Sequence, residues 1–173
     1  LKCPPQGNVF FVAVDPACGG PSEMGIVSFY FSSAKTLGDR PLGLTLLGLE
    51  SVNTQRVMME PNWRFLVDHI KGVRNTYPHL LARATVVPIV ESQGSQTTAN
   101  TFCGRIQEHC QPCLLLFGRA KNSSEPTYGV PTTADKKLLM VQRLQALMTD
   151  RQILIDSRLY TSGRRSLSTK DAD

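Results

Sequence analysis

No apolar run in this 173-residue chain approaches the roughly 20 residues that a membrane-crossing helix requires, and no membrane partner is expected. A G-x-x-x-x-G-K-S/T loop is also missing, and Gly19-Gly20-Pro21 lacks the spacing of a dinucleotide loop. Any ATP site is therefore expected outside this chain. The five cysteines are odd in number and follow no framework-like spacing, which favours free thiols and a reducing compartment. His109-Cys110-Gln-Pro-Cys113, with Cys103 nearby, resembles half of a zinc site. Such a site needs a second ligand pair, and the chain has none. There are no internal repeats and no block of like charge that reads as a tail. The polar loop Asn122–Thr132 is the only candidate linker, so a single domain over 1–173 is expected. A start methionine is absent, Leu1 being first, and the chain is expected to be a piece of something longer.

What is present is ordinary in bulk. Hydrophobic residues make up 41% and charged residues 19%, a balance that excludes an intrinsically disordered chain. The net charge of +5 favours an anionic partner but does not by itself specify nucleic acid.

Apolar patterning divides the chain into two halves. Asn8–Val14, Gly25–Phe31 and Leu42–Val52 read as strands separated by turn-rich connections, which implies an antiparallel meander. From Pro61 to Tyr77, apolar residues at Trp63, Leu66, Val67, Ile70 and Val73 form a helical stripe, with Pro61 suited to its start and Pro78 to its end. Thr85–Val90 is a fourth strand, Ser95–His109 a helix, and Cys113–Phe117 a continuous apolar run of the kind that fills a strand covered on both faces. Leu138, Leu139, Val141, Leu144, Leu147 and Met148 mark a last amphipathic helix before Arg151–Asp156 returns to extended form. The expected fold is mixed α/β, an antiparallel three-strand meander extended by parallel strands and flanked by helices.

Two carboxylates end apolar strands: Asp15 after Val12-Ala-Val, and Glu91 after Pro88-Ile-Val. Small or polar residues follow each of them and leave room for a substrate. A lone Asp-Pro is a turn former. If the two strands are neighbours, the pair instead becomes a hard-oxygen site suited to Mg²⁺ or Mn²⁺ over a phosphate. Glu60 and Asp68 read as solvated, Asp135 as a helix cap or first-turn residue, and Asp156 as structural or a secondary metal residue. Trp63 and the phenylalanines, at helix or strand spacing, read as core. Lys136 and Lys137 open a helix, where one could face a phosphate backbone or both could simply be solvated.

Val12-Ala-Val-Asp15-Pro-Ala17 followed by Met24-Gly25-Ile26-Val27, then Ile89-Val-Glu91-Ser-Gln-Gly-Ser95-Gln96, resembles the nuclease domain of herpesvirus terminase large subunits. Tyr128-Gly-Val-Pro-Thr-Thr-Ala-Asp-Lys136, leading into Ile153-Leu-Ile-Asp156, is similar to terminase nucleases more broadly. The resemblance runs in order over nearly the whole chain. It implies an RNase H-like fold and a metal-dependent endodeoxyribonuclease that cuts concatemeric viral duplex DNA during packaging. Two Mn²⁺ or Mg²⁺ ions would be held by Asp15, Glu91 and a third acidic residue. That third ligand is usually an Asp in an Asp-Asp-Leu segment opening a C-terminal helix, and no such segment occurs here. Asp171 or Asp173 could serve, but the favoured expectation is a ligand beyond Asp173, leaving the domain incomplete and residues 1–173 weak or inactive in cleavage.

On the same resemblance, Arg119, Lys121, Lys136 and Lys137 are candidate contacts to the DNA backbone, which would be bound without reading sequence. Other terminase subunits and the capsid portal are the implied partners, and the host cell nucleus the implied location. Two alternatives stand beside this reading. One is a noncatalytic DNA-binding or assembly module on the same fold; the other is a different RNase H-like nuclease such as a resolvase.

Overall fold

The computed structural model describes residues 9–16, 23–32, 43–52, 62–92, 96–119 and 126–159. Strands β1 (Val9–Asp15), β2 (Met24–Ser32) and β3 (Gly43–Val52) come first, followed by helix α1 (Asn62–Thr76) and the single turn α2 (Pro78–Leu81). Strand β4 (Thr85–Val90) and helix α3 (Gln96–His109) follow. The short strands β5 (Phe117–Arg119) and β6 (Pro126–Tyr128), helix α4 (Ala134–Thr149) and strand β7 (Ile153–Ile155) complete the described chain. Five strands form one sheet in the order β4-β1-β2-β3-β7. The meander β1-β2-β3 is antiparallel, while β4 runs parallel to β1 and β7 parallel to β3. This is the mixed, RNase H-like arrangement expected.

Alternation along the strands decides which face is buried. Phe10, Val12 and Val14 of β1 and Met24 and Ile26 of β2 point toward α1 and α3, meeting Leu66, Val67, Ile70 and Val73 of α1 and Ala99, Phe102 and Ile106 of α3 in one core. Full burial of each large aliphatic side chain contributes roughly 1.5–3 kcal/mol. Pro88 is tolerated inside β4 because β4 is the last full strand on its side of the sheet.

The opposite face is far less covered. Phe11, Phe29 and Phe31 gather on it with ring centroids 5.4–5.8 Å apart, and Leu49 is 73% exposed. Helix α4 buries none of its residues, and its apolar stripe, including Leu138 and Met148, faces solvent.

A polar link pins the helical layer to the sheet. Buried His69 of α1 lies 2.8 Å from Ser28 Oγ through Nε2 and 2.9 Å from Glu50 Oε2 through Nδ1. A carboxylate can only accept, so Nδ1 carries the proton and Nε2 accepts from the Ser28 hydroxyl. Ser28 is wholly buried, which removes it as a nucleophile despite the resemblance to a Ser-His-acid relay. Gly48 permits the close approach, because a Cβ there would come within 2.9 Å of Val73 Cγ2 and 3.1 Å of His69 Cε1. Burial pushes the imidazole below its ordinary value, a shift that Glu50 only partly offsets. The unfolded chain therefore takes up this proton at a higher pH than the folded one. Stability is complete above about pH 6.5 and declines as the pH falls from there toward the depressed folded value. Urea unfolding between pH 8 and 5 should show this decline, and His69→Gln should flatten it.

Several sequence expectations change. Cys113–Phe117 is not a strand covered on both faces. Cys113 makes a single parallel bridge to Val86, while Leu114, Leu116 and Phe117 are exposed. Phe117 instead begins β5, which pairs with β6 in a separate two-stranded sheet, so the loop over Asn122–Thr132 contains a strand. Pro78 does not simply end α1 but starts the further turn α2. Trp63 is only half-buried, stacked on His109 with ring centroids 5.3 Å apart and with the Arg105 guanidinium 5.0 Å above it. Glu60, Pro61 and Ser95 lie outside the described residues.

Candidate metal centre

The parallel pairing of β1 with β4 builds the site. Val14 stands opposite Val90 in the register, and the Glu91 amide donates to the Val14 carbonyl at 2.9 Å. The next residue on each strand is the carboxylate, so Asp15 and Glu91 emerge together at the C-terminal end of the two strands. By strand alternation they share the open face with Phe11 and Ala13. Asp15 is exposed, whereas the Glu91 side chain is only 14% exposed.

The chain after β6 closes over Glu91. Val130 makes a parallel bridge to Glu91, its amide donating to the Val90 carbonyl at 2.7 Å, and the Ser92 amide returns a bond to the Val130 carbonyl at 3.1 Å. Gly129 makes the turn into this segment at φ +96. The Thr132 hydroxyl then donates to Glu91 Oε1, and the Lys137 ammonium lies 3.1 Å from the same oxygen. Burial works to raise the Glu91 carboxyl. The hydrogen bonds from Thr132 and Lys137, the Lys137 charge and the contact with Asp15 outweigh it and hold the group below the ordinary range. Thr133 caps α4 by accepting from the Lys136 amide, and Asp135 lies in the first turn as expected.

The donor set fits a hard divalent cation. Two carboxylates adjoin at a solvent-facing strand end, and a positively charged group already stands against one of them. Among the described residues no group of three or more His, Cys, Asp or Glu side chains gathers to hold a metal. Glu23, passed over in the sequence, starts at the same end of the sheet, where the Ser51 hydroxyl donates to its carboxylate. Its only sequence signal was its place immediately before β2.

Other expected residues fall elsewhere. Asp156 is three strand spacings from β1, about 14 Å at ordinary sheet geometry. It accepts from the Arg158 amide at 2.9 Å and pairs with the Arg158 guanidinium at 3.3 Å, a structural role. Lys136 donates to the Pro131 carbonyl at 3.2 Å. Arg119 lies in β5, and Lys121, Asp171 and Asp173 are outside the described residues. Cys103 and Cys110 are buried, and burial pushes the Cys103 thiol up to about 12, in keeping with an inert core thiol rather than a zinc ligand.

No protein-family model matches this sequence, and no curated protein matches it. Solved structures do. The human cytomegalovirus terminase nuclease domain, Mn-soaked and inhibitor-bound, superposes with a TM-score of 0.64 at 17% identity, covering 87% of this chain and 64% of that one. The Mn-soaked form without inhibitor gives 0.61 at 18% identity, covering 87% and 63%, and the domain on its own gives 0.62 at 16%, covering 87% and 64%. The chain thus spans just under two thirds of the domain it matches. The backbone built from its strands and helices has the fold of a viral terminase nuclease domain.

Proposed function

We propose that the chain is the nuclease part of a viral DNA-packaging terminase, a metal-dependent endonuclease acting on concatemeric duplex DNA. The observation that carries this reading is the parallel β1–β4 pairing, which brings Asp15 and Glu91 side by side at an open strand end of a fold shared with a terminase nuclease domain. Asp15 and Glu91 would hold the divalent metal, Mn²⁺ or Mg²⁺. When bound, the metal activates water and neutralises charge at the scissile phosphate. The third acidic ligand that would complete a two-metal site belongs to this proposal, with Asp173 one candidate. Thr132 orients Glu91 by donating to one carboxylate oxygen, leaving the other oxygen for metal. Arg119, Lys121, Lys136 and Lys137 would position the duplex backbone without reading sequence. Other terminase subunits, the capsid portal, an ATPase outside this chain and the host nucleus complete the proposal.

The test combines Mn²⁺ binding, followed by electron paramagnetic resonance, with nicking of supercoiled plasmid by a chain extended past Asp173 to include the third ligand. The expected result is a carboxylate-dependent Mn²⁺ site and nicking that stops in EDTA. Duplex binding that is equally strong in EDTA, with no Mn²⁺ site, would instead identify a noncatalytic binding module. The observation that supports this second reading is that no group of three metal-ligating side chains gathers among the described residues. A preference for four-way junctions or RNA–DNA hybrids over linear duplex would move the assignment to a resolvase or RNase H.

A further inference from the structure

The contacts that tie the start of α4 to the sheet gather around one residue, Glu91. Val130 bridges to the Glu91 backbone, and Thr132 and Lys137 both reach Glu91 Oε1. Beyond them α4 fully buries no residue: Leu138, Leu139, Met140, Val141, Leu144 and Met148 face solvent, and Leu147 is half-buried. Lys137 is also an unusual residue for its place. It lies in the first turn of α4, its amide donating to the Thr133 carbonyl at 2.9 Å, where the helix dipole disfavours positive charge. The nearly buried Glu91 carboxylate compensates for that placement, and the ammonium in turn compensates for the burial of the carboxylate.

From this geometry we infer that Lys137 is an internal cation of the carboxylate pair, held on Glu91 while no metal is bound, so that metal uptake and the docking of α4 oppose each other. The inference rests on the proposed metal site at Asp15 and Glu91. A divalent ion and an ammonium cannot both draw on the same carboxylate without repelling one another. Metal arrival therefore weakens the Lys137 contact, and by linkage the Lys137 contact weakens metal binding by the same factor. The helix released in this way is the one carrying the exposed apolar stripe.

The experiment measures Mn²⁺ affinity by calorimetry and hydrogen exchange of the α4 amides, with and without Mn²⁺, in the wild-type chain, Lys137→Gln and Arg143→Gln. Arg143→Gln removes the same charge from the same exposed helix and is the control. Thermal melting verifies that each variant is folded, and Lys137→Arg, which keeps the charge, should behave as wild type. Lys137→Gln is expected to bind Mn²⁺ on the order of 10-fold more tightly, since one competing charge near a partly buried carboxylate has gone. Exchange in wild-type α4 should rise when Mn²⁺ is added, whereas in Lys137→Gln it should be fast in both conditions. Equal or weaker Mn²⁺ binding by Lys137→Gln, with wild type binding normally, overturns this inference and leaves the metal site standing. Absence of Mn²⁺ from both proteins overturns the metal site and the inference together.

Discussion

Asp15→Asn should abolish measurable Mn²⁺ binding and, in a chain extended past Asp173, slow Mn²⁺-dependent plasmid nicking by about 100-fold or more. Loss of a residue that merely supports a metal ligand already costs about 10–100-fold in affinity or activity, and loss of a ligand exceeds that. The substitution is nearly isosteric, so shape is kept while the charge and one strong oxygen donor disappear. Asp15 is exposed at the end of β1 and makes no core contact, so folding should change by less than about 1 kcal/mol, in the range of surface substitutions. A melting curve separates that small change from the large catalytic one. Glu91→Gln should match it in activity while also loosening Thr132 and Lys137. Wild-type Mn²⁺ affinity and nicking in Asp15→Asn would remove this carboxylate from the chemistry.

Gly129→Ala should destabilise the fold by about 2–4 kcal/mol, combining a non-glycine residue at positive φ with steric overlap. Its backbone sits at φ +96, and a Cβ there would lie 2.9 Å from the Val90 carbonyl oxygen, 2.9 Å from Ser92 Cβ and 3.0 Å from Ala99 Cβ. The Val90 carbonyl belongs to the β4 backbone and Ala99 is buried in α3, so neither has much room to move. The displaced segment is the one that presents Thr132 and Lys137 to Glu91. Mn²⁺ affinity should therefore change along with the unfolding midpoint, whereas a purely local loop defect would alter stability alone. Urea denaturation and Mn²⁺ calorimetry on the same preparation distinguish the two outcomes.

The carboxylate pair was legible because strand alternation and the polar residues after Asp15 and Glu91 announce strand ends. Their adjacency was not, since it depends on β4 docking parallel to β1, a pairing that local pattern does not encode. Lys137 was read as a backbone-facing or solvated lysine because its partner lies 46 positions earlier, and only the Val130 bridge brings the two together. The run after Cys113 misled for a related reason. Apolar composition indicates burial somewhere, but a strand exists only where a neighbour offers hydrogen bonds; Leu114 still donates to Val86 of β4, and from Phe117 on the neighbour is β6. The Ser28–His69–Glu50 link had one faint signal, a histidine on the apolar stripe of α1, and gained meaning only with Gly48 beneath it.

Parallel pairing of β1 with β4 also orders events in time. Strands β2 and β3, helix α1 and the turn α2 intervene between β1 and β4, and a parallel partner can be reached only after that intervening chain has crossed over the sheet. A nascent or partly folded chain therefore carries the two carboxylates apart, with no concentrated negative site to attract a divalent ion. On the proposed reading, metal-dependent cleavage would therefore depend on the completed sheet, and partly folded copies would lack it.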